Sequence, residues 1–303
     1  MGDFFGVSPA DDTLYHHMRA WRDAAAYVER LWELSEPYLD EGRPEAAARA
    51  LQPVVWEMYL AASFVDQGHD VKPREGKRKR NGGPDIQIGD VTAWIEAVIA
   101  TAGVGRDAVP PLDTDPNSPM RKVPDRELML RITNAIDEKW RKYRKYREAG
   151  LVREDEPFVI AINGAELPTG FVESSPPRIA RAVFGIGSLV VSFDRETLKA
   201  VDEHYAPMPD VEKMSGCTVP TKHFRDDQYK GISAVIWGMA SPWRRPDFFG
   251  RDLMVVHNPF AANPLPRGWF REGVEFWAEN DVRELHWKEH WRERPAETAA
   301  GNG

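Results

Sequence analysis

The stretch Gly82–Val98, GGPDIQIGDVTAWIEAV, decides how the rest of the chain is read. PDIQIG and TAWIEAVIA alternate or run apolar on either side of a Gly-Asp pair, which is the pattern of a β-hairpin. The second half places Glu96 between Ile95 and Ala97, where burying a carboxylate is costly unless it is paired. The hairpin loop decides what Glu96 meets. With residues 89–92 as the loop, Asp85 lies directly across from Glu96. With only 89 and 90, it lies across from Trp94 and diagonal to Glu96. Both registers keep the two carboxylates on one face, within about 5 to 8 Å at Cβ. A three-residue loop splits them across the sheet.

Two carboxylates that close repel, and a divalent cation between them relieves the conflict. An all-oxygen set of this kind suits Mg²⁺ or Mn²⁺. A third acid, Glu57, stands in VVWEMYLAASF, crowded by apolar neighbours.

Outward from the hairpin, the chain alternates helix and strand signals. Leu14, Met18, Trp21, Ala25 and Val28 recur at helical spacing, so residues 1–43 are expected to hold an N-terminal helical extension. A second helical region begins at Pro44 and ends at Gly68, with Pro53 expected to split or kink it. Residues 101–124, rich in Gly, Pro, Asp and Ser, read as a long loop, and a long helix then ends at Gly150. EPFVIAING, GISAVIWGM and DLMVVHNP read as strands. RIARAVFGIGSLVVSFD mixes helix and strand signals. The expected organisation is an α/β core over 44–260 with an insertion at about 165–230. Residues 261–303 are expected to form a C-terminal loop or helix and a disordered tail.

This order resembles the PD-(D/E)xK nuclease superfamily, the restriction-endonuclease-like fold: a helix glutamate, then Pro84-Asp85, then Glu96 on the next strand, then a helix and a strand. The resemblance covers residues 44 to 165. It implies a mixed β-sheet core flanked by helices. It also implies a Mg²⁺- or Mn²⁺-dependent endonuclease that hydrolyses phosphodiester bonds of DNA, in restriction, defence or repair. Asp85 and Glu96 correspond to the family's metal ligands, and Glu57 to its helix acid. The family's lysine falls at Val98, which cannot replace it. The following helix offers Lys139 as a migrated cation, with Lys142 and Arg131 nearby. The rival expectation is a nuclease-fold protein without catalysis that binds nucleic acid or a protein partner. A small-molecule enzyme is a third.

Composition narrows the setting. A net charge of -8 over 303 residues argues against a surface built for general nucleic-acid binding, although a local basic groove fits it. REGKRKR supplies such a run, and Lys77, Arg78, Lys79, Arg80 and Lys142 are the expected phosphate contacts. Tyr143 and Tyr146 are expected to pack, and His257 to be a hydrogen-bonded structural residue. Arg106 and Asp107 follow the Glu96 strand and are weighed as lining residues. Cys217 is the one cysteine, so no disulfide framework or Cys-built zinc site can form within the chain. No signal-peptide pattern and no run of about 20 apolar residues is found, which leads to the expectation of a cytoplasmic protein with no membrane partner. A homodimer is the quaternary arrangement the resemblance implies.

Overall fold

The computed structural model describes residues 44–72, 82–89, 92–112, 123–241, 246, 248–279 and 284–290. The expected extension over 1–43, the basic run at 77–80 and the C-terminal tail lie outside these residues.

Helix α1 (Pro44–Asp66) starts on a proline, whose missing N–H costs nothing in the first turn. One helix runs through Pro53 rather than dividing there. Its sheet-facing stripe buries Trp56, Met58, Tyr59, Leu60 and Phe64 completely. Burial at that level contributes about 1.5–3 kcal/mol for each large apolar side chain. Strands β1 (Val71–Lys72), β2 (Ile86–Ile88) and β3 (Ala93–Ile99) follow, then helix α2 (Asp125–Glu148) and strand β4 (Phe158–Asn163). β4 is buried at every position, as a central strand covered on both faces must be.

Short helix α3 (Arg178–Phe184) leads into β5 (Ile186–Phe193). The switch falls at Gly185, which adopts the left-handed conformation at φ 67° and stops the helix. That one residue explains why the sequence here carries helix and strand signals together. β6 (Ala200–Pro207), β7 (Asp210–Glu212) and β8 (Thr218–Pro220) complete the insertion. They pair as β5–β6 and β7–β8, two small sheets separate from the main one. The chain then returns as β9 (Ala234–Gly238) and β10 (Met254–His257).

The expected boundary at residue 260 falls inside the sheet. β11 (Gly273–Ala278) and β12 (Leu285–His290) add two strands to it. The proline-rich segment before them conceals that they resume the core. The main sheet is mixed, with order β1-β2-β3-β4-β9-β10-β11-β12. β3, β4 and β9 run parallel, and β2 is antiparallel to β3.

Two hydrophobic clusters cover the faces. Ala93, Ile95 and Ala97 of β3 belong to the cluster built on α1. Trp94 and Val98 pack with the cluster built on α2 and α3. Strand alternation therefore aims Glu96 at α2. No described helix is long and apolar enough to cross a membrane.

Candidate active site

The hairpin register is Ile86↔Ile95, Gln87↔Trp94 and Ile88↔Ala93. Residues 89–92 form the loop, and continuing the register by one residue sets Asp85 across from Glu96. Asp85 is pinned on both sides of Glu96. Its N–H donates to the Ile95 carbonyl at 3.0 Å, and its Oδ2 accepts from the Ala97 N–H at 2.8 Å. The side chain stands where a strand neighbour would be. Pro84 has no N–H, and β2 pairing does not extend past Ile86, while β3 continues to Ile99. A gap opens along the unpaired part of β3.

Glu96 is 1 % exposed. Its Oε1 accepts from Lys139 Nζ at 2.7 Å and Lys142 Nζ at 3.2 Å, and its Oε2 accepts from the Tyr146 hydroxyl at 3.0 Å. Positions 139, 142 and 146 share one face of α2, being three and four residues apart. That is how a carboxylate survives in an apolar run: every donor comes from the helix packed over it. Lys139 is buried with Glu96, whereas Lys142 reaches it from a side chain 45 % exposed. Partial burial disfavours the Lys142 charge, but the Glu96 carboxylate and, more weakly, Asp85 outweigh it and hold its pKa above the ordinary lysine range.

Asp85, Glu96, Lys139 and Lys142 line a cleft of about 720 Å³ with Glu57 and Glu166. Val98 is in its wall, half-buried, where the motif lysine was expected. Glu57 comes from α1, on the other side of the sheet, so the cleft lies at the open border of β3 and not under either helix. Behind it, buried Asn163 ties the layers together. Its Oδ1 accepts from Gln52 Nε2 on α1 at 3.3 Å and from the Ala165 N–H at 2.8 Å. Gln52 Nε2 also donates to the Ala240 carbonyl at 3.0 Å.

Glu57, Asp85, Glu96, Lys139 and Lys142 thus meet in one cleft. Lys142, expected on phosphate, is held on Glu96. Arg131 packs against Gly103 in the loop after β3. Arg106 is exposed, and Asp107 is used structurally: its Oδ1 accepts from the Met214 N–H at 2.8 Å. Two contributors were not anticipated. The Tyr146 hydroxyl had a signal, since it lies one turn past Lys142. Glu166 had none; it arrives because β3 and β4 run in parallel with Ile99 beside Asn163, which brings the turn after β4 to the end of β3.

Two further polar clusters are closed networks. His257 meets Glu275 Oε1 at 3.1 Å, while Oε2 takes His290 at 2.9 Å and the Gly268 N–H at 2.8 Å. His257 is thus hydrogen-bonded as expected. Asp137 accepts from the Tyr229 hydroxyl at 2.6 Å and faces His223 at 3.2 Å. Burial opposes ionisation of Asp137, but these two partners hold its pKa below the usual range.

Among the described residues, no group of three or more His, Cys, Asp or Glu side chains is arranged to hold a metal ion. Asp85 and Glu96 are two carboxylates, the kind and number of protein ligands that Mg²⁺ commonly takes beside water and substrate phosphate. No family model matches the chain, and no curated protein or solved structure matches it.

Proposed function

We propose that the chain is a divalent-metal-dependent nuclease of the restriction-endonuclease-like fold, hydrolysing phosphodiester bonds of DNA. The observation that carries this is the convergence on Glu96: a carboxylate directly across a hairpin from Asp85, with Lys139 and Lys142 delivered by the helix where a migrated cation was expected. Asp85 and Glu96 are the residues that would hold Mg²⁺. Bound there, the ion supplies Lewis-acid polarisation of a phosphoryl oxygen and a more acidic water. Lys142, half in solvent, is positioned to leave Glu96 for a phosphate oxygen and offset its charge. Lys139, enclosed, stays to orient the carboxylate. Glu57 and Glu166 add negative charge to the rim. A cleft with four carboxylates and two ammonium groups disfavours a polyanion unless a cation enters with it, which supports metal dependence over simple nucleic-acid binding.

A second reading has its own observation. Both oxygens of Glu96 are engaged by side chains of the chain itself, and Val98 has no cation to give. That combination favours a retired nuclease scaffold that binds nucleic acid or protein. Cleavage assays with Mg²⁺ or Mn²⁺ on single- and double-stranded DNA and RNA separate the two. Metal-dependent cleavage that Glu96→Ala abolishes, and that Lys142→Ala reduces without loss of fold, supports the nuclease. Equal cleavage by wild type and Glu96→Ala places any activity elsewhere. Binding without cleavage supports the scaffold.

A further inference from the structure

The insertion carries a feature that neither the cleft nor the core uses. β5 and β6 form a two-stranded sheet by themselves, paired Leu189↔Tyr205, Val190↔His204, Val191↔Glu203 and Ser192↔Asp202. From Ser188 to His204 no residue is buried. Phe193 is 59 % exposed, Leu198 77 % and Val201 66 %, and Leu189 and Val190 are exposed beside them. The tip is ordered by its own bonds: Asp194 Oδ1 accepts from the Thr197 N–H at 2.7 Å and its hydroxyl at 2.8 Å. The apolar surface is therefore displayed on a shaped arm. A two-stranded hairpin is marginally stable in water, and exposed apolar patches of this kind mark interaction sites.

The two edges of the arm differ. β6 carries Asp202 and Glu203, which guard an edge against pairing with its own counterpart. β5, IGSLVVSF, has no charged residue along its length and pairs only with β6 among the described strands. We propose that β5 pairs antiparallel with β5 of a second copy across a two-fold axis, joining two arms into a four-stranded sheet. Self-pairing there meets no like charges, whereas β6 against β6 would set acid against acid. The charges of the arm, Asp194, Glu196, Asp202 and Glu203 against Arg195 and Lys199, disfavour nucleic acid as its occupant. Pairing of identical strands gives a closed, isologous dimer. The proposal does not depend on the nuclease reading.

Sedimentation velocity and oxidative cross-linking test it on the full chain. Wild type is expected to be a dimer. Val190→Lys and, separately, Phe193→Lys at the tip are expected to halve the mass with unchanged near-ultraviolet circular dichroism. In a Cys217→Ser background, single cysteines placed at Leu189, Val190, Val191 and Ser192 are expected to give an intermolecular disulfide yield that peaks within the strand. A monomeric wild type at the highest soluble concentration overturns the proposal. So does a dimer that both lysine variants leave intact, and so does a cross-linking yield that is flat along β5.

Discussion

Removing the Lys139 ammonium tests whether Glu96 is held by its helix or merely beside it. Lys139→Met keeps the length and packing of the stem and deletes the charge. The carboxylate it leaves is 1 % exposed, with Lys142 at 3.2 Å and Tyr146 at 3.0 Å still in place. Breaking a buried ion pair by deleting one partner costs about 3–5 kcal/mol. Because two donors remain, the lower end applies, about 3 kcal/mol. Lys142 is half in water, so its share of the compensation is at most about 1 kcal/mol. Glu96→Gln leaves the enclosed Lys139 ammonium uncompensated and is expected to cost a similar amount. The double variant Glu96→Gln/Lys139→Met removes both charges, so its loss is expected to be no larger than either single one, a coupling of about 3 kcal/mol. Urea unfolding of all four proteins measures the cycle. Two single losses below about 1 kcal/mol that add in the double variant would falsify the account of Glu96 as a desolvated, paired carboxylate, since independent surface charges behave in that way.

Further outcomes follow from other sites. Burial opposes ionisation of Glu275, but hydrogen bonds from His257, Gly268 and His290 prevail and depress its pKa below the ordinary 4.5. A depressed carboxylate contributes stability that is fully present above its unfolded value and is lost as pH falls through the folded value. Wild type is thus expected to lose stability below about pH 4.5 more steeply than Glu275→Gln, as read from urea midpoints against pH; parallel curves would refute this. Gly273→Ala meets two obstacles, a φ of 94° and a new Cβ driven into the Leu253 carbonyl, so it is expected to cost more than about 1 kcal/mol by thermal unfolding. A neutral result there would mean that the β10–β11 contact can shift.

The hairpin was legible because its chemistry is local. Alternation fixes which residues share a face, and a two-residue and a four-residue loop both keep Asp85 and Glu96 together. Lys139 could be reached for a similar reason, since helix period alone puts 139, 142 and 146 in a row. Tyr146 reads as packing because an aromatic ring satisfies an apolar pattern whatever its hydroxyl does. Glu166 could not be reached at all. Its place depends on β4 lying parallel to β3, a pairing made across residues 100–157 that leaves no periodic trace. The C-terminal strands are hidden for a different reason: a strand after a proline-rich connector looks the same whether it rejoins a sheet or not. The insertion hid its organisation in one backbone conformation, that of Gly185.

The bond from Ala97 to Asp85 has a bearing on genetics. One carboxylate serves as the seam of an incomplete edge and as half of a charged pair, so a deletion scan would score Asp85 as important without saying for which duty. Asparagine separates them. Its amide oxygen can still accept from the Ala97 N–H, while the charge opposite Glu96 is gone. Asp85→Ala opens the edge as well. The difference between these two alleles, and not the severity of either, is what reports on chemistry in the cleft.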